Sequence, residues 1–488
     1  MATLKRFSGV ALLTSATLLV GFSGGRWSAP LAAWLGPALF IRFYQSRSPL
    51  RGFIPLLVAC IGAQVIGWWR VFPLGLIVPF WIALGLFATL PYVFHRVLAP
   101  RIGGGLSTLV FPLAASGLEF VSLLANPVGS WGATAYSQYG NLALMQWVSV
   151  TGLVGVTFLM GWFASLANWV WDSIRDGRAR ETATTVTLFA CAFVGVLAYG
   201  AMRLASAPLA SETVRVAGIT AEPIRVITQR WSAAMPAPAE RDAEVRRVRS
   251  AYFDASVREA RAGARIVVWP EISGIGAATD ERALIEQASR VASEEKIYLT
   301  VPLFTIRDEP DKRNENKLLI VDPSGGNAIE HVKFGGNFME GTLKGDARLR
   351  TVDTPYGRIA GVICWDADFP EVIRQAGAAG VSLLLVPSSD WHEIDPIHAH
   401  MAVFRAIENG LSIVRQTDGA LSIVADPFGR VLAQLDYATA DRTMIAQVPT
   451  RAITTLYNRG GHLFGWLTLI LFAMLVAFGL ASTLRQKR

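Results

Sequence analysis

The sequence predicts a polytopic α-helical membrane domain joined to a layered α/β domain. Long apolar stretches occupy both ends of the 488-residue chain, whereas its middle alternates short β-branched stretches with amphipathic helical patterns. Only 17% of the residues are charged and 52% are hydrophobic. These values exclude a disordered chain and a small disulfide-stabilised scaffold.

Apolar stretches long enough to cross a hydrocarbon core of about 30 Å are predicted at eight places. They lie at 8–24, 29–45, 52–69, 72–94, 104–125, 142–170, 182–203 and 464–484. The sequence therefore predicts a transmembrane domain over 1–203 with about seven helices, and a C-terminal transmembrane helix over 464–484. A cleavable signal peptide is the alternative for the first stretch.

The formal net charge of +8 is unevenly distributed. Residues 1–203 contain 13 Lys/Arg and 4 Asp/Glu, and residues 464–488 contain 3 Lys/Arg and no Asp/Glu. The central stretch 204–463 contains 29 Lys/Arg and 33 Asp/Glu. The excess positive charge belongs to the membrane segments, so no nucleic-acid partner is expected. With the N-terminus in the cytoplasm, the loop arginines and lysines follow the positive-inside rule, which places the central domain outside the cytoplasm.

The central region, 212–458, has the pattern of one layered α/β domain. The predicted buried strands are Val214–Ile219, Ile266–Trp269, Tyr298–Leu303, Leu318–Val321, Ile359–Cys364, Ser382–Val386, Ser412–Gln416 and Leu421–Ala425. The predicted helices are Ala239–Arg261, Glu281–Glu294, Phe369–Ala378 and Ile397–Glu408. Two Asp-Pro turn signals, at Asp322 and Asp426, indicate return hairpins.

Candidate catalytic residues lie where two of these strands and one predicted hairpin end. Glu271 comes after Trp269-Pro270, Lys333 follows a predicted hairpin, and Cys364 ends a strand. Strand ends at one sheet edge can share a pocket, so a carboxylate, an amine and a thiol are expected to meet there. Each residue alone also fits a plain role: a solvated carboxylate, a surface cation and a buried small hydrophobe.

The other two cysteines sharpen the interpretation of Cys364. Cys60 and Cys191 fall inside predicted membrane spans, which leaves Cys364 without a disulfide partner in the central domain. A single thiol in an oxidising compartment calls for a chemical reason.

The order of the three candidate residues resembles that of the nitrilase, or carbon–nitrogen hydrolase, superfamily over about 212–458. It is Glu271 in W-P-E, then Lys333, then Cys364 in G-V-I-C-W. That resemblance implies a nitrilase-like four-layer α-β-β-α sandwich with a Glu-Lys-Cys triad. Seven spans before this domain and one after it resemble the apolipoprotein N-acyltransferase family. Membership would imply transfer of a fatty acyl chain from a phospholipid donor, through a Cys thioester, to the N-terminal amine of a diacylglyceryl lipoprotein.

The resemblance also implies a place and a role for each residue. The protein would be a multi-pass protein of the bacterial inner membrane with a periplasmic catalytic domain. Cys364 would be the nucleophile and Glu271 the general base. Lys333, assisted by the backbone N–H of Trp365, would face the developing oxyanion.

Two departures from the family pattern bear on the site. Asp366 stands where the family has a Glu after Cys and an aromatic residue. Lys333 is followed by Phe-Gly-Gly without the usual proline, and Glu340 lies one residue nearer than expected. Glu340, Asp366 and Trp365 are predicted as accessory residues, and the apolar 334–339 stretch as an active-site loop that dips toward lipid.

Alternatives remain open at this stage. A membrane-anchored amidase would use the same triad but let water resolve the thioester, and a catalytically silent homologue would only bind lipid or lipoprotein. We expect a monomer without a cofactor. We also expect no metal, because His398 and His400, at i and i+2, do not share a helix face. Trp131 is predicted as an interfacial anchor of the membrane domain.

Overall fold

The computed structural model describes residues 2–72, 74–207, 212–221, 224–234, 236–307, 311–439 and 442–486. The chain forms two compact units. The first comprises Met1–Ala125, Gly132–Ser206 and Gly460–Arg488, and the second comprises Asn126–Trp131 and Ala207–Arg459. The six residues Asn126–Trp131, which follow an apolar helix in the sequence, thus belong to the second unit.

The first unit is helical. Its helices up to the second unit are α1 (Ala2–Ser23), α2 (Pro30–Gln45), α3 (Pro49–Gly67), α4 (Leu74–Ile102), α5 (Val110–Ala125), α6 (Leu142–Met145), α7 (Val148–Thr151), α8 (Leu153–Arg175) and α9 (Ala183–Ala205). Six helical stretches of the described residues are long and apolar enough to cross a membrane: Pro49–Gly67, Gly75–Ile102, Gly105–Ala125, Leu153–Arg175, Ala179–Ala205 and Leu463–Ala481. The protein is therefore a multi-pass membrane protein.

The first two predicted spans are helical but do not meet those criteria. Helix α2 has 16 residues. At a rise of about 1.5 Å per residue it extends roughly 24 Å, which is less than the hydrocarbon core of about 30 Å. In α1, the apolar part of the described helix is Gly9–Ser23.

The continuous span predicted over 142–170 is wrong. The structure has two single-turn helices, α6 and α7, followed by α8. Gly152 separates α7 from α8 and has a φ of 65°. A right-handed helix cannot continue through this left-handed conformation, so only α8 from this stretch is long enough to span a membrane.

The second unit contains two mixed sheets. Its strands are β1 (Thr213–Ile219), β2 (Ile266–Val268), β3 (Gly274–Ala277), β4 (Tyr298–Ile306), β5 (Glu315–Val321), β6 (Asn327–Val332), β7 (Thr351–Thr354), β8 (Gly357–Gly361), β9 (Leu383–Ser388), β10 (Ser412–Thr417), β11 (Ser422–Ala425), β12 (Val431–Leu435) and β13 (Thr443–Pro449). The first sheet has the order β13-β1-β2-β4-β5-β6, with β3 paired to β4, and the second has the order β12-β11-β10-β9-β8-β7.

Helices pack on both sheets. The helices of this unit are α10 (Ile224–Ala233), α11 (Pro238–Arg261), α12 (Glu281–Glu295), α13 (Asn337–Glu340), α14 (Pro370–Ala378), α15 (Ile397–Asn409) and α16 (Leu456–Gly460); α17 (Leu463–Gln486) follows. Helices α11 and α12 pack on the first sheet, and α15 packs on the second with α14 beside it. Val216 of the first sheet and Leu385 of the second share one buried core, while Trp269 and Leu284 belong to the core between the first sheet and its helices. This arrangement confirms the four-layer α-β-β-α sandwich.

All eight predicted strands are present, and the described residues contain five more. Of these, β6 and β12 complete the return hairpins expected after Asp322 and Asp426, whereas β3, β7 and β13 were missed. Thr351–Thr354 and Thr443–Pro449 are strands with partly exposed, polar positions, so they lack a continuous apolar signal. Gly274–Ala277 contains two glycines, which weaken a strand pattern. The predicted strand Ile359–Cys364 ends earlier, at Gly361, and a 3-10 turn, Cys364–Asp368, begins at the cysteine.

Candidate active site

The amine of Lys333 lies against two carboxylates. Its Nζ donates a hydrogen bond to the Oε1 of Glu271 at 2.6 Å and another to the Oε1 of Glu340. Lys333 and Glu271 are each 1% exposed. Burial alone would favour the neutral amine, but the charges of Glu271 and Glu340 outweigh it and raise the pKa of Lys333 well above its usual range. The amine is therefore a fixed positive charge.

Glu271 has hydrogen-bond donors at both oxygens. Besides Lys333, its Oε1 accepts from the Nδ2 of Asn316 at 2.7 Å, and its Oε2 accepts from the backbone N–H of Ser389 at 2.9 Å. Asn316 Nδ2 also lies 3.2 Å from the Oε2 of Glu340, so one amide links both carboxylates. Burial and the nearby charge of Glu271 raise the pKa of Glu340, despite its contact with Lys333.

Asn316 was missed by the sequence analysis. It lies on β5, and its backbone carbonyl accepts from the N–H of Lys333 at 2.9 Å, which places the two residues side by side. The available signal was an asparagine two residues before the predicted strand Leu318–Val321. The structure buries this amide fully, and a buried polar side chain needs partners.

Cys364 stands where β8 gives way to the 3-10 turn. Its φ is 45°, a left-handed conformation that costs a non-glycine residue about 1–3 kcal/mol and that occurs most often at functional sites. The side chain is buried. Burial, with the charges of Glu271 and Asp390, raises the pKa of the thiol well above its usual range, although Lys333 and Arg415 act in the opposite direction. The resting side chain is a neutral thiol.

An arginine and an aspartate flank the sulfur. Arg415 Nη2 and Asp390 Oδ1 each lie 3.7 Å from the Sγ of Cys364, and Arg415 Nη1 donates to the Cys364 carbonyl at 3.3 Å. Arg415 Nη2 contacts Asp390 Oδ1 and Oδ2 at 2.9 and 3.0 Å. Although burial acts the other way, Arg415 and His398 hold the pKa of Asp390 well below its usual range.

The sequence analysis assigned no role to Arg415 or Asp390. Arg415 is a fully buried arginine inside the apolar strand β10, and Asp390 follows β9. A charged residue within a buried strand is uncommon unless it is paired, and that was the available signal.

Cys364, Asp390 and His398 offer one thiol, one carboxylate and one imidazole atom within 4.8 Å of one another. This donor set does not fit a metal ion. Arg415 Nη2 lies 3.0 Å from His398 Nδ1 and 2.9 Å from Asp390 Oδ1, so a bound cation would face a fixed positive charge. That no metal takes part remains a prediction.

Asp366 holds a backbone corner together. Its Oδ1 accepts from the N–H groups of Phe334 and Gly335 at 2.9 and 2.7 Å. Its Oδ2 accepts from the N–H of Ile363 at 3.0 Å and lies 2.7 Å from the Nε2 of His331. The shorter carboxylate at this position thus joins the segment after Lys333 to the segment before Cys364.

Trp365 forms one wall of the site. Its Nε1 donates to the Nε2 of His398 at 3.0 Å, and its ring stacks on Phe338 at 6.1 Å with an interplanar angle of 13°. Gly336 approaches so closely, with a φ of 80°, that an added Cβ would lie 2.0 Å from the Trp365 ring. Only glycine fits there, which accounts for the second glycine of the Phe-Gly-Gly stretch.

The prediction that Trp131 is an interfacial anchor is wrong. The residue belongs to the second unit and is 3% exposed. Its Nε1 donates to the Oδ2 of Asp368 at 2.8 Å, and its ring packs edge-on against Trp365 at 5.4 Å. Its position in the sequence suggested a membrane loop, whereas the structure gives its indole N–H a hydrogen-bond acceptor inside the second unit.

The 334–339 stretch leads into an exposed apolar surface. Phe338, Met339 and Leu343 are 63%, 41% and 47% exposed. They lie directly after Lys333 in the chain, and Phe338 contacts Trp365. Their entry into lipid stays a prediction.

Several known proteins are similar to this chain. Residues 233–457 match the carbon-nitrogen hydrolase family. An apolipoprotein N-acyltransferase of Geobacter metallireducens is 27% identical over 74% of this chain and 72% of its own length. That of Rhodopseudomonas palustris is 26% identical over 94% of each chain. An amidase from Nesterenkonia sp. AN1 aligns at 18% identity with a TM-score of 0.39, over 51% of this chain and 97% of the amidase.

The second unit is a carbon–nitrogen hydrolase domain, defined by its four layers and by the matched family. It is carried by a multi-pass membrane unit. In both parts the chain is similar to proteins named apolipoprotein N-acyltransferase, which match it along most of its length.

Proposed function

We propose that this protein is an apolipoprotein N-acyltransferase, which moves a fatty acyl chain from a phospholipid to the N-terminal amine of a diacylglyceryl lipoprotein. The observation that carries this proposal is the buried cluster of Glu271, Lys333 and Cys364 within a membrane-anchored carbon–nitrogen hydrolase domain. The names of its relatives supply the substrate classes.

In the first half-reaction, Cys364 attacks the ester carbonyl of the phospholipid and Glu271 takes the thiol proton. The ester C–O bond breaks, the proton passes to the leaving oxygen, and a lysophospholipid departs from an acyl thioester on Cys364. Asp390 also lies near the sulfur, but its lowered pKa makes it a weak base. Glu271 is therefore the preferred proton acceptor.

Lys333 supplies positive charge where the carbonyl oxygen becomes an oxyanion. The backbone N–H of Trp365 is the proposed second donor. Glu340 and Asn316 act as positioning residues, because Glu340 holds the amine and Asn316 holds both carboxylates. Trp365 and Asp366 shape the pocket and its backbone.

In the second half-reaction, the lipoprotein amine attacks the thioester. Glu271 accepts a proton from the amine, an amide bond forms, and the C–S bond breaks to restore the Cys364 thiol after proton return. Water is the competing nucleophile. The burial of Cys364 restricts its access, which favours transfer over hydrolysis.

The remaining proposals concern location and partners. The charge pattern of the loops supports a multi-pass position in the bacterial inner membrane with the catalytic domain on the periplasmic side. The negative balance of the central stretch supports the absence of a nucleic-acid partner. The protein is proposed to act as a monomer without a cofactor or metal.

Acyl transfer can be tested with purified full-length protein in detergent. After incubation with phospholipid, intact mass spectrometry should show one added acyl chain, and peptide mapping should place it on Cys364. Addition of a diacylated lipopeptide should remove that chain and produce the triacylated form. Cys364→Ala should abolish both products, whereas Cys191→Ala, a change at an exposed cysteine in α9, should leave them unchanged.

Three outcomes would contradict the proposal. Absence of a thioester with phospholipid argues against Cys364 as an acyl carrier. Hydrolysis of an amide without transfer to the lipopeptide would instead indicate a membrane-anchored amidase. Unchanged function in Cys364→Ala would indicate a catalytically silent homologue that binds lipid or lipoprotein.

A further inference from the structure

The first unit contains a cavity of about 310 Å³ that is separate in the chain from every residue of the candidate active site. It opens among the end of α2, the second half of α4, the turn after α4, and α8 with its following turn. The residues that define its chemistry are Gln45, His95, Arg96, Gly103, Trp169 and Arg178. Its volume lies at the lower end of the range for ligand sites, about 300–1,000 Å³.

The lining of this cavity is positively charged. It contains Arg96 and Arg178, and no Asp or Glu is among its lining residues in the described part of the chain. Arg178 forms ion pairs with Asp176 and Glu181 at 3.3 and 3.1 Å. Arg96 donates to the backbone carbonyl of Arg47 at 3.1 Å and forms no ion pair with any described residue. The charge of Arg96 is thus available to an anion.

The cavity also has polar atoms without partners. His95 is 5% exposed, and its Nε2 lies 3.3 Å from the Nε2 of Gln45. Its Nδ1, and the Oε1 of Gln45, are buried and have no hydrogen-bond partner within the described ranges. A buried polar atom without a partner is destabilising, and a polar ligand in the cavity would provide that partner.

The turn after α4 leaves room for such a ligand. Gly103 and Gly104 have φ values of 68° and 55°, and nothing lies within 4 Å of a Cβ added at either position. The backbone is therefore bare on this side of the cavity, and a bulky group can approach it.

We propose that this cavity binds a phosphate-bearing anion, with Arg96 as its main charge partner and His95 as a hydrogen-bonding partner. Basic pockets between transmembrane helices are typical sites for anionic lipid headgroups. The phosphate can come from a lipid headgroup or from free phosphate. This site differs from the acyl-donor site, because all of its residues lie in the first unit.

Native mass spectrometry of full-length Cys364→Ala protein, which cannot turn over a donor, tests the lipid source. We expect retained phosphatidylglycerol to exceed retained phosphatidylcholine, and Arg96→Gln to reduce the phosphatidylglycerol signal about tenfold. Arg101→Gln is the matched control, since Arg101 lies on the same helix outside the cavity lining. It should retain phosphatidylglycerol like the parent.

Thermal unfolding with inorganic phosphate tests the other source. A phosphate-dependent rise in melting temperature that Arg96→Gln removes and Arg101→Gln keeps would assign the site to free phosphate. His95→Phe, which fills part of the cavity without a charge change, should weaken binding of the same ligand. Equal phosphatidylglycerol retention by the two arginine variants, with no phosphate effect that distinguishes them, would overturn the proposal.

Discussion

The guanidinium Nη2 of Arg415 lies 3.7 Å from the Sγ of Cys364, and Nη1 of the same guanidinium contacts the Cys364 carbonyl. Asp390 holds this guanidinium through two hydrogen bonds. The sulfur therefore faces a second fixed cation besides Lys333. A thiolate that forms during catalysis would be stabilised by Arg415, which we assign as a positioning residue that also fixes the strained cysteine backbone.

Arg415→Met is expected to slow formation of the Cys364 thioester by tenfold or more. Loss of the guanidinium removes one of the two cations that lower the pKa of the thiol, so that pKa rises further. The alkylation rate of Cys364 by iodoacetamide, followed by peptide mass spectrometry, should shift to higher pH. Arg415→Lys should restore part of the rate, because it keeps the charge but loses the fork in which Nη2 contacts Asp390 and Nη1 contacts the Cys364 carbonyl.

Arg405→Met is the matched control for this change. Arg405 is equally buried, but it lies on α15 and its guanidinium pairs with Glu408 of the same helix at 2.8 Å. If Arg405→Met shifts the alkylation profile of Cys364 as much as Arg415→Met does, general loosening of the domain explains the effect and the assigned role of Arg415 is wrong.

The pH dependence of Cys364 in the wild-type protein gives a separate prediction. Burial and two nearby carboxylates raise the pKa of its thiol well above its usual range, so the thiolate fraction at neutral pH is small. The alkylation rate should keep rising by about tenfold per pH unit through pH 9, above the pKa of about 8.5 at which the rate of an unperturbed cysteine begins to level off. A plateau below pH 8 would mean that the resting residue is a thiolate.

Asp366→Ala is expected to destabilise the second unit strongly. The change would leave three backbone N–H groups and His331 without their acceptor inside a fully buried site, and each such loss costs about 1–3 kcal/mol. Thermal unfolding should show a clearly lower midpoint. The midpoint of Asp366→Asn, which keeps one acceptor oxygen, should lie between those of the wild type and Asp366→Ala.

Asp353→Ala serves as the control for Asp366→Ala. The Asp353 carboxylate pairs with Arg358 at the surface, where ion pairs contribute little, and its removal should leave the midpoint unchanged. Similar midpoints for Asp353→Ala and Asp366→Ala would show that the backbone corner does not depend on Asp366.

The chemically distinctive residues were predictable from the sequence, but their supporting contacts were not. Glu271 and Cys364 follow predicted apolar strands, Lys333 follows a predicted hairpin, and the order of the three matched a known pattern. Asn316 and Arg415 sit inside strands, where side-chain direction depends on register. Sheet register arises from long-range pairing, which a local pattern does not contain.

The membrane unit shows the same limit. Length and hydropathy located the six membrane-length helices of the described residues, because both properties are local. They did not locate the break at Gly152, where one backbone conformation divides an apolar stretch, nor the burial of Trp131 in the second unit. An aromatic residue at a predicted loop has the same composition signal whether it faces a bilayer interface or a protein core.

Glu271→Gln and Glu340→Gln should separate the two carboxylates that share Lys333. Glu271→Gln removes the proposed base, so thioester formation should fall by about 10²–10⁴-fold. Glu340→Gln keeps an oxygen for the Lys333 contact and leaves Glu271 in place, so its rate should fall far less. Single-turnover formation of the Cys364 thioester from phospholipid, with the melting temperature of each variant, measures both effects. If Glu340→Gln is the slower variant while both proteins fold equally well, the proton acceptor is Glu340 and the proposed roles must be exchanged.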